Sequence, residues 1–178
     1  MVCGNLEEQM DSEHLMKIVM EQASRKGFGT KKEDIIVSEK IALIHSEISE
    51  AYEAYLNNNL EGKHGFYEEI GDALQRTLHL AGIFKINILM EGPDESDSIS
   101  RASPEGKIAL LHKILSHAWE NYRKNKIPLF QSDMVCLIKA FNQMSVDFDF
   151  SLDYVIKTKI ENNMDRDWKD KGLNERFT

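Results

Sequence analysis

Helix breakers are scarce in this sequence: three prolines and ten glycines among 178 residues, with long stretches that hold neither. A helix interior tolerates these two residues least. Proline lacks the N–H and clashes with the preceding turn, and glycine gives up the most backbone freedom. Their distribution predicts an all-α fold. A domain commonly runs to about 100–200 residues, so residues 1–178 are expected to form a single helical unit with one sizeable core.

Apolar periodicity divides the chain into helices. From about Leu6 to Lys26, the positions Leu15, Met16, Val19, Met20 and Ala23 recur at helical spacing, and Gly27 and Gly29 end the pattern. Ser38 is expected to cap a second helix to about Asn58, with Ile41, Ile44, Ile48, Ala51, Tyr52 and Tyr55 as its core stripe. The Asn- and Gly-rich run Asn57–Gly65 predicts a turn. A third helix, from about Phe66 to Met90, is apolar around much of its circumference and is predicted to be central and much buried. Glu91–Ser103, interrupted by Gly92, Pro93 and a run of Asp and Ser, predicts a loop. Ser103 before Pro104 predicts a capped helix start, with that helix reaching about Asn125. Pro128 is expected to close this region, Ser132 and Asp133 to open a helix through Met144, and Ser151 to cap a last helix through about Arg166. The tail Asp167–Thr178 reads as irregular. Trp119, Tyr52 and Tyr55 read as core aromatics, because an aromatic at helical spacing is more often packed than stacked on a ligand.

Composition removes several function classes. Hydrophobic residues at 42% and charged residues at 29% lie near the globular norm, so disorder is not the default. A formal charge of −8 argues against sequence-independent nucleic-acid binding, which draws on Lys and Arg to neutralise phosphates. Cys3 and Cys136 are the only cysteines, with no Cys-x-x-Cys, so neither a disulfide framework nor a thiolate zinc site is suggested and a reducing cytosol fits. Met1–Met10 lacks a secretory signal pattern, and no stretch approaches the roughly 18 apolar residues of a membrane span. The six histidines offer no second centre: His112 and His117 miss the i, i+4 spacing of a helical zinc pair.

Two carboxylate pairs stand out, Glu47 with Glu50 and Glu69 with Asp72, each three residues apart on a predicted helix and separated by the predicted turn. Residues i and i+3 share a helix face, so an antiparallel hairpin would bring the four acids to one seam. A lone Glu-x-x-Glu is ordinarily a solvated face. Here Leu43, Glu47, Glu50 and Ala54 form a ridge beside the apolar stripe, and Glu69, Asp72, Arg76 and His79 form the one polar ridge of a buried helix. Clustered carboxylates repel and raise one another's pKa, a penalty that a hard cation such as Mg²⁺ removes. The four residues are therefore candidate metal ligands.

The run Ile41-Ala42-Leu43-Ile44-His45-Ser46-Glu47-Ile48-Ser49-Glu50-Ala51, then Phe66-Tyr67-Glu68-Glu69-Ile70-Gly71-Asp72, then Lys159-x-x-x-Asn163-x-x-Arg166 resembles, in order, three blocks of the all-α nucleoside triphosphate pyrophosphohydrolases. That superfamily includes MazG-like proteins and the dimeric dUTPases. The likeness covers about residues 28–72 and 151–166. It implies a MazG-like helical bundle, assembled as a homodimer or larger oligomer, with an extra helical insertion over about residues 91–131. The insertion is open to three readings: a dimer contact, a lid or an extra packing layer.

The resemblance further implies a Mg²⁺ site made by Glu47, Glu50, Glu69 and Asp72, with Mn²⁺ as a substitute cation. The implied reaction is hydrolysis of a nucleoside triphosphate to the monophosphate and pyrophosphate, as cytosolic nucleotide-pool housekeeping. Glu47 or Glu50 would accept the proton of the attacking water, and Arg76, Lys159, Asn163 and Arg166 would bind substrate. No nucleic-acid or membrane partner is implied. Two departures stand out: Ser46 replaces a glutamate common in relatives, and Asp167–Gly172 replaces a His-Gly-rich tail. They keep a rival in view, a catalytically silent helical module that binds nucleotide or metal or serves as a dimeric scaffold.

Overall fold

A computed structural model describes residues 12–90 and 93–164, and among these every regular element is helical. The helices are α1 (Ser12–Lys26), α2 (Val37–Leu56), α3 (Phe66–Ile83), α4 (Ser96–Arg101), α5 (Pro104–Arg123), α6 (Ile127–Asp147) and α7 (Leu152–Met164), with a 3₁₀ turn at Lys32–Asp34. The expected first-helix residues before Ser12, and the tail from 165, lie outside the described residues.

Two helical hairpins, α2/α3 and α5/α6, stack so that α5 lies on α2 and α6 on α3, while α1 and α7 also pack against α3. α3 therefore has four helical neighbours, which is why it can carry apolar side chains around so much of its surface. Ile70, Ala73, Leu74, Leu78, Leu80 and Ala81 are all fully enclosed. Buried apolar residues from Leu15 to Ile160 make one contiguous core. Leu111, Ile114, Leu115, Ala118 and Phe130 belong to it, so α5 and the first turn of α6 form a packing layer of the bundle. Tyr52, Tyr55 and Trp119 pack against the core from its margin.

Five helices end in the same way. After α1, α2, α3, α5 and α6 comes a residue in the left-handed region, Gly27, Asn58, Lys85, Asn125 and Asp149 respectively. In each case the next residue's N–H reaches back five positions, as Ile86 does to the Ala81 carbonyl. This pattern satisfies carbonyls that the helix end leaves open. It corrects the third helix: α3 stops at Ile83 instead of continuing to Met90, because Lys85 accepts a left-handed conformation (φ 52°).

Other boundaries also differ. The expected loop at 91–103 contains α4, whose Ile99 is fully buried. The Lys107 ammonium, itself buried, donates to the Ile99 and Ser100 carbonyls and pairs with Asp147, and so ties α4 to α5 and α6. Pro128 does not close a region but sits in the first turn of α6, where its missing N–H costs nothing. Ser132 and Asp133 consequently fall inside α6 and open nothing. Ser38 is not a cap, since α2 begins at Val37 after an uncapped Ile36. Ser103 and Ser151 do cap, accepting from Gly106 N and Tyr154 N at 3.2 Å each.

Candidate active site

The α2/α3 hairpin positions the site. On α2, Ile41, Ile44, Ile48 and Ala51 face the core, which places the Leu43–Glu47–Glu50 ridge along the edge of the contact with α3. On α3, the Glu69–Asp72–Arg76–His79 ridge meets it from the opposite strand of the hairpin. The register is set by Arg76, whose Nε and one Nη donate to Glu47 Oε1 at 2.7 and 2.6 Å. One turn nearer the hairpin loop, single carboxylate oxygens of Glu47, Glu50 and Glu69 lie within 4.8 Å of one another. Glu47 and Glu69 are 7% and 2% exposed, whereas Glu50 faces solvent.

Asp72 is held differently. Lys159 reaches across from α7 to pair with it and also meets Glu68 at 3.3 Å. The approach depends on Gly71, where an added Cβ would lie 2.5 Å from Val155 of α7. Ser46, the departure noted in the sequence, donates to Glu50 Oε1 at 2.8 Å and so orients that carboxylate. The sequence reading missed His64 and Glu68. His64, in the left-handed region at φ 54°, places Nδ1 3.1 Å from Glu69 Oε1 and donates its backbone N–H to Glu68. The only signals for them were the Glu68-Glu69 doublet and the proximity of His64 to the turn.

The charges are crowded enough to hold protons. Burial, a hydrogen bond shared with Glu47 and the negative charge of Asp72 push the Glu69 pKa up to about 8. Burial raises Asp72 to about 6, against the pull of Lys159. Glu68 moves the other way: burial works against its charge, but the His64 N–H and Lys159 outweigh it and hold the carboxyl below its usual range. Burial also works against the Lys159 charge, and Asp72 and Glu68 overcome it, raising the ammonium. Farther along the seam, His79 hydrogen-bonds the Gly29 carbonyl at 2.9 Å, and Lys40 of α2 lies in the field of Arg76.

The donor set suits a hard divalent cation: three convergent carboxylates, two of them buried, one retaining a proton near neutrality when no cation replaces it. Of the eight residues singled out by sequence, Glu47, Glu50 and Glu69 converge. Asp72, Arg76 and Lys159 border them through ion pairs. Asn163 lies in α7, but its side chain is outside the described residues, as is Arg166 altogether. No helix among the described residues is long and apolar enough to cross a membrane. No family model, no curated protein and no solved structure matches the chain.

Proposed function

We propose that this chain is a cation-dependent nucleoside triphosphate pyrophosphohydrolase, converting a nucleoside triphosphate and water to the monophosphate and pyrophosphate. The observation that supports it best is the convergence of Glu47, Glu50 and Glu69 across α2 and α3, flanked by Arg76 and Lys159. Glu47, Glu50, Glu69 and Asp72 would hold Mg²⁺, or Mn²⁺ in its place, and such an ion neutralises triphosphate oxygens and makes a nearby water more acidic.

The chain's own groups divide the remaining work. Glu47 is locked by Arg76 through Oε1, which suits it to holding position. Glu50 is the better base: Ser46 fixes its Oε1, the side chain faces solvent, and its second oxygen can accept the proton of the attacking water. As the water oxygen bonds to the α-phosphorus, the bond to the bridging oxygen breaks and the electron pair leaves with pyrophosphate. Arg76 and Lys159 lie where they can offset charge on phosphate oxygens. Asn163 and Arg166 belong to this proposal through the family resemblance, as do the MazG-like bundle, the cytosolic setting and the homo-oligomer.

The test is product analysis by chromatography after incubation with Mg²⁺ and a panel of ribo- and deoxyribonucleoside triphosphates. Wild type is expected to yield monophosphate and pyrophosphate, and Glu50→Gln to lose at least about 100-fold in rate, the usual scale of a general base. Diphosphate and phosphate would place the cleavage at the wrong bond. One observation favours a catalytically silent binding module: Arg76 on Glu47 and Lys159 on Asp72 already neutralise half of the carboxylate set. That reading predicts nucleotide binding with no product on long incubation.

A further inference from the structure

The α2/α3 seam is acidic at one end only. On α2, Lys40, Leu43, Glu47 and Glu50 follow one another at i, i+3, i+7 and i+10, a single helix ridge. The Arg76–Glu47 bond fixes this ridge against Glu69, Asp72, Arg76 and His79 on antiparallel α3. Glu50 therefore lies toward Glu69, and Lys40 toward Arg76 and His79.

The second end carries two cations, Arg76, which is paired with Glu47, and Lys40. Lys40 is partly buried, yet its ammonium has no ion-pair or hydrogen-bond partner among the described residues. Lys107, Lys139, Lys157 and Lys159, which are also buried or partly buried, each meet a carboxylate. Glu39, the acid nearest Lys40 on its own helix, is exposed. Burial and the charge of Arg76 push the Lys40 pKa down, against the weaker pull of Glu39. Burial does the same to His79, where Lys40 and Arg76 both contribute. A partly desolvated ammonium in the field of a guanidinium carries a cost that an anion placed between the two relieves.

We infer that the Lys40–Arg76 end of the seam is an anion subsite that takes the pyrophosphoryl portion of a nucleoside triphosphate, with the nucleoside directed toward the α2–α3 loop. This rests on the hydrolase reading above. Lys40 lies two turns from Glu47, about 10 Å along α2, so one phosphate cannot reach both ends, whereas a chain of phosphates laid along the seam can. Lys159, the cation at the acidic end, is already engaged by Asp72 and Glu68. Lys40 is the cation left free to meet the distal phosphates.

The experiment is equilibrium binding of inorganic pyrophosphate, with Mg²⁺ present, to the full chain and to Lys40→Met, Lys40→Gln and Lys124→Met, alongside turnover and melting temperature. Lys124 is a surface cation paired with Glu120 and serves as the control. Both Lys40 variants are expected to bind pyrophosphate roughly ten-fold more weakly, the scale of one charged hydrogen bond. The control should match wild type, and all four proteins should melt alike. Unchanged affinity in both Lys40 variants, or no pyrophosphate binding by wild type, overturns the subsite even if the chain hydrolyses triphosphates. Lys40-dependent binding without turnover of any triphosphate keeps the subsite and removes the hydrolase reading.

Discussion

Glu69 shows how a single residue records its surroundings. Its pKa of about 8 means that the folded chain keeps a proton that the unfolded chain releases near the ordinary value of 4.5. Between those values the native state binds more protons, so stability without a cation falls as pH rises. Asp72, raised to about 6 from 3.8, adds the same sign over its lower window. Melting of cation-free protein should therefore drop from pH 5 to pH 8.5 more steeply in wild type than in Glu69→Gln, which keeps a hydrogen-bonding group but cannot ionise. A cation competes with the same proton, so Mn²⁺ affinity followed by electron spin resonance should climb between pH 6 and 8 in wild type. Glu47, Glu50 and Glu69 were legible in the sequence because helix periodicity alone places them beside an apolar stripe. The capture of Asp72 by Lys159 was not, since it joins residues 87 positions apart and depends on how α7 docks. Lys40 was invisible for a related reason: a lysine's lack of a partner is a property of the packed structure.

At the scale of elements, two glycines of α3 separate packing from propensity. An added Cβ at Gly71 would lie 2.5 Å from Val155 Cγ1, and one at Gly82 would lie 2.5 Å from Met20 Sδ. Valine is stiff at χ1 and methionine is not. Alanine also gains about 1 kcal/mol of helix propensity over glycine. We expect Gly82→Ala to be near neutral in urea unfolding, and Gly71→Ala to cost about 1–2 kcal/mol by pushing α7 outward. Helix existence was readable from apolar spacing, and Ser103, Pro104 and Ser151 marked two starts correctly. Helix ends were harder. Gly27, Asn58 and Asn125 fall where stops were expected, whereas Lys85 and Asp149 take the same conformation without announcing it. α4 escaped notice because its stability comes from the burial of Ile99 and from the Lys107 ammonium on its last carbonyls, contacts that have no local periodicity.

For the whole molecule, the all-α class followed from the scarcity of helix breakers, and the central place of α3 from its apolar circumference. The stacking of α5 and α6 onto that hairpin did not, because amphipathic stripes specify that a face is covered and leave the partner open. Some apolar surface stays uncovered. Leu56 (58% exposed), Val146 (72%) and Tyr154 (70%) lie near the ends of α2 and α6 and the start of α7; Tyr55 of α2, Phe66 of α3 and Phe148 after α6 meet there, and Phe150, just before α7, joins them through Phe66. If the proposed homo-oligomer uses this end, sedimentation velocity of Val146→Glu with Tyr154→Glu should show a lighter species than wild type; identical profiles would remove this end from the interface.

Lys159 gives the molecule one more property. It fastens the last described helix to the carboxylates of α3, and any dication that claims Asp72 takes away the charge Lys159 leans on. If the seam takes such a dication, the grip of α7 on the bundle varies with loading, so α7 would act as a tension gauge with its backbone amides as the needle.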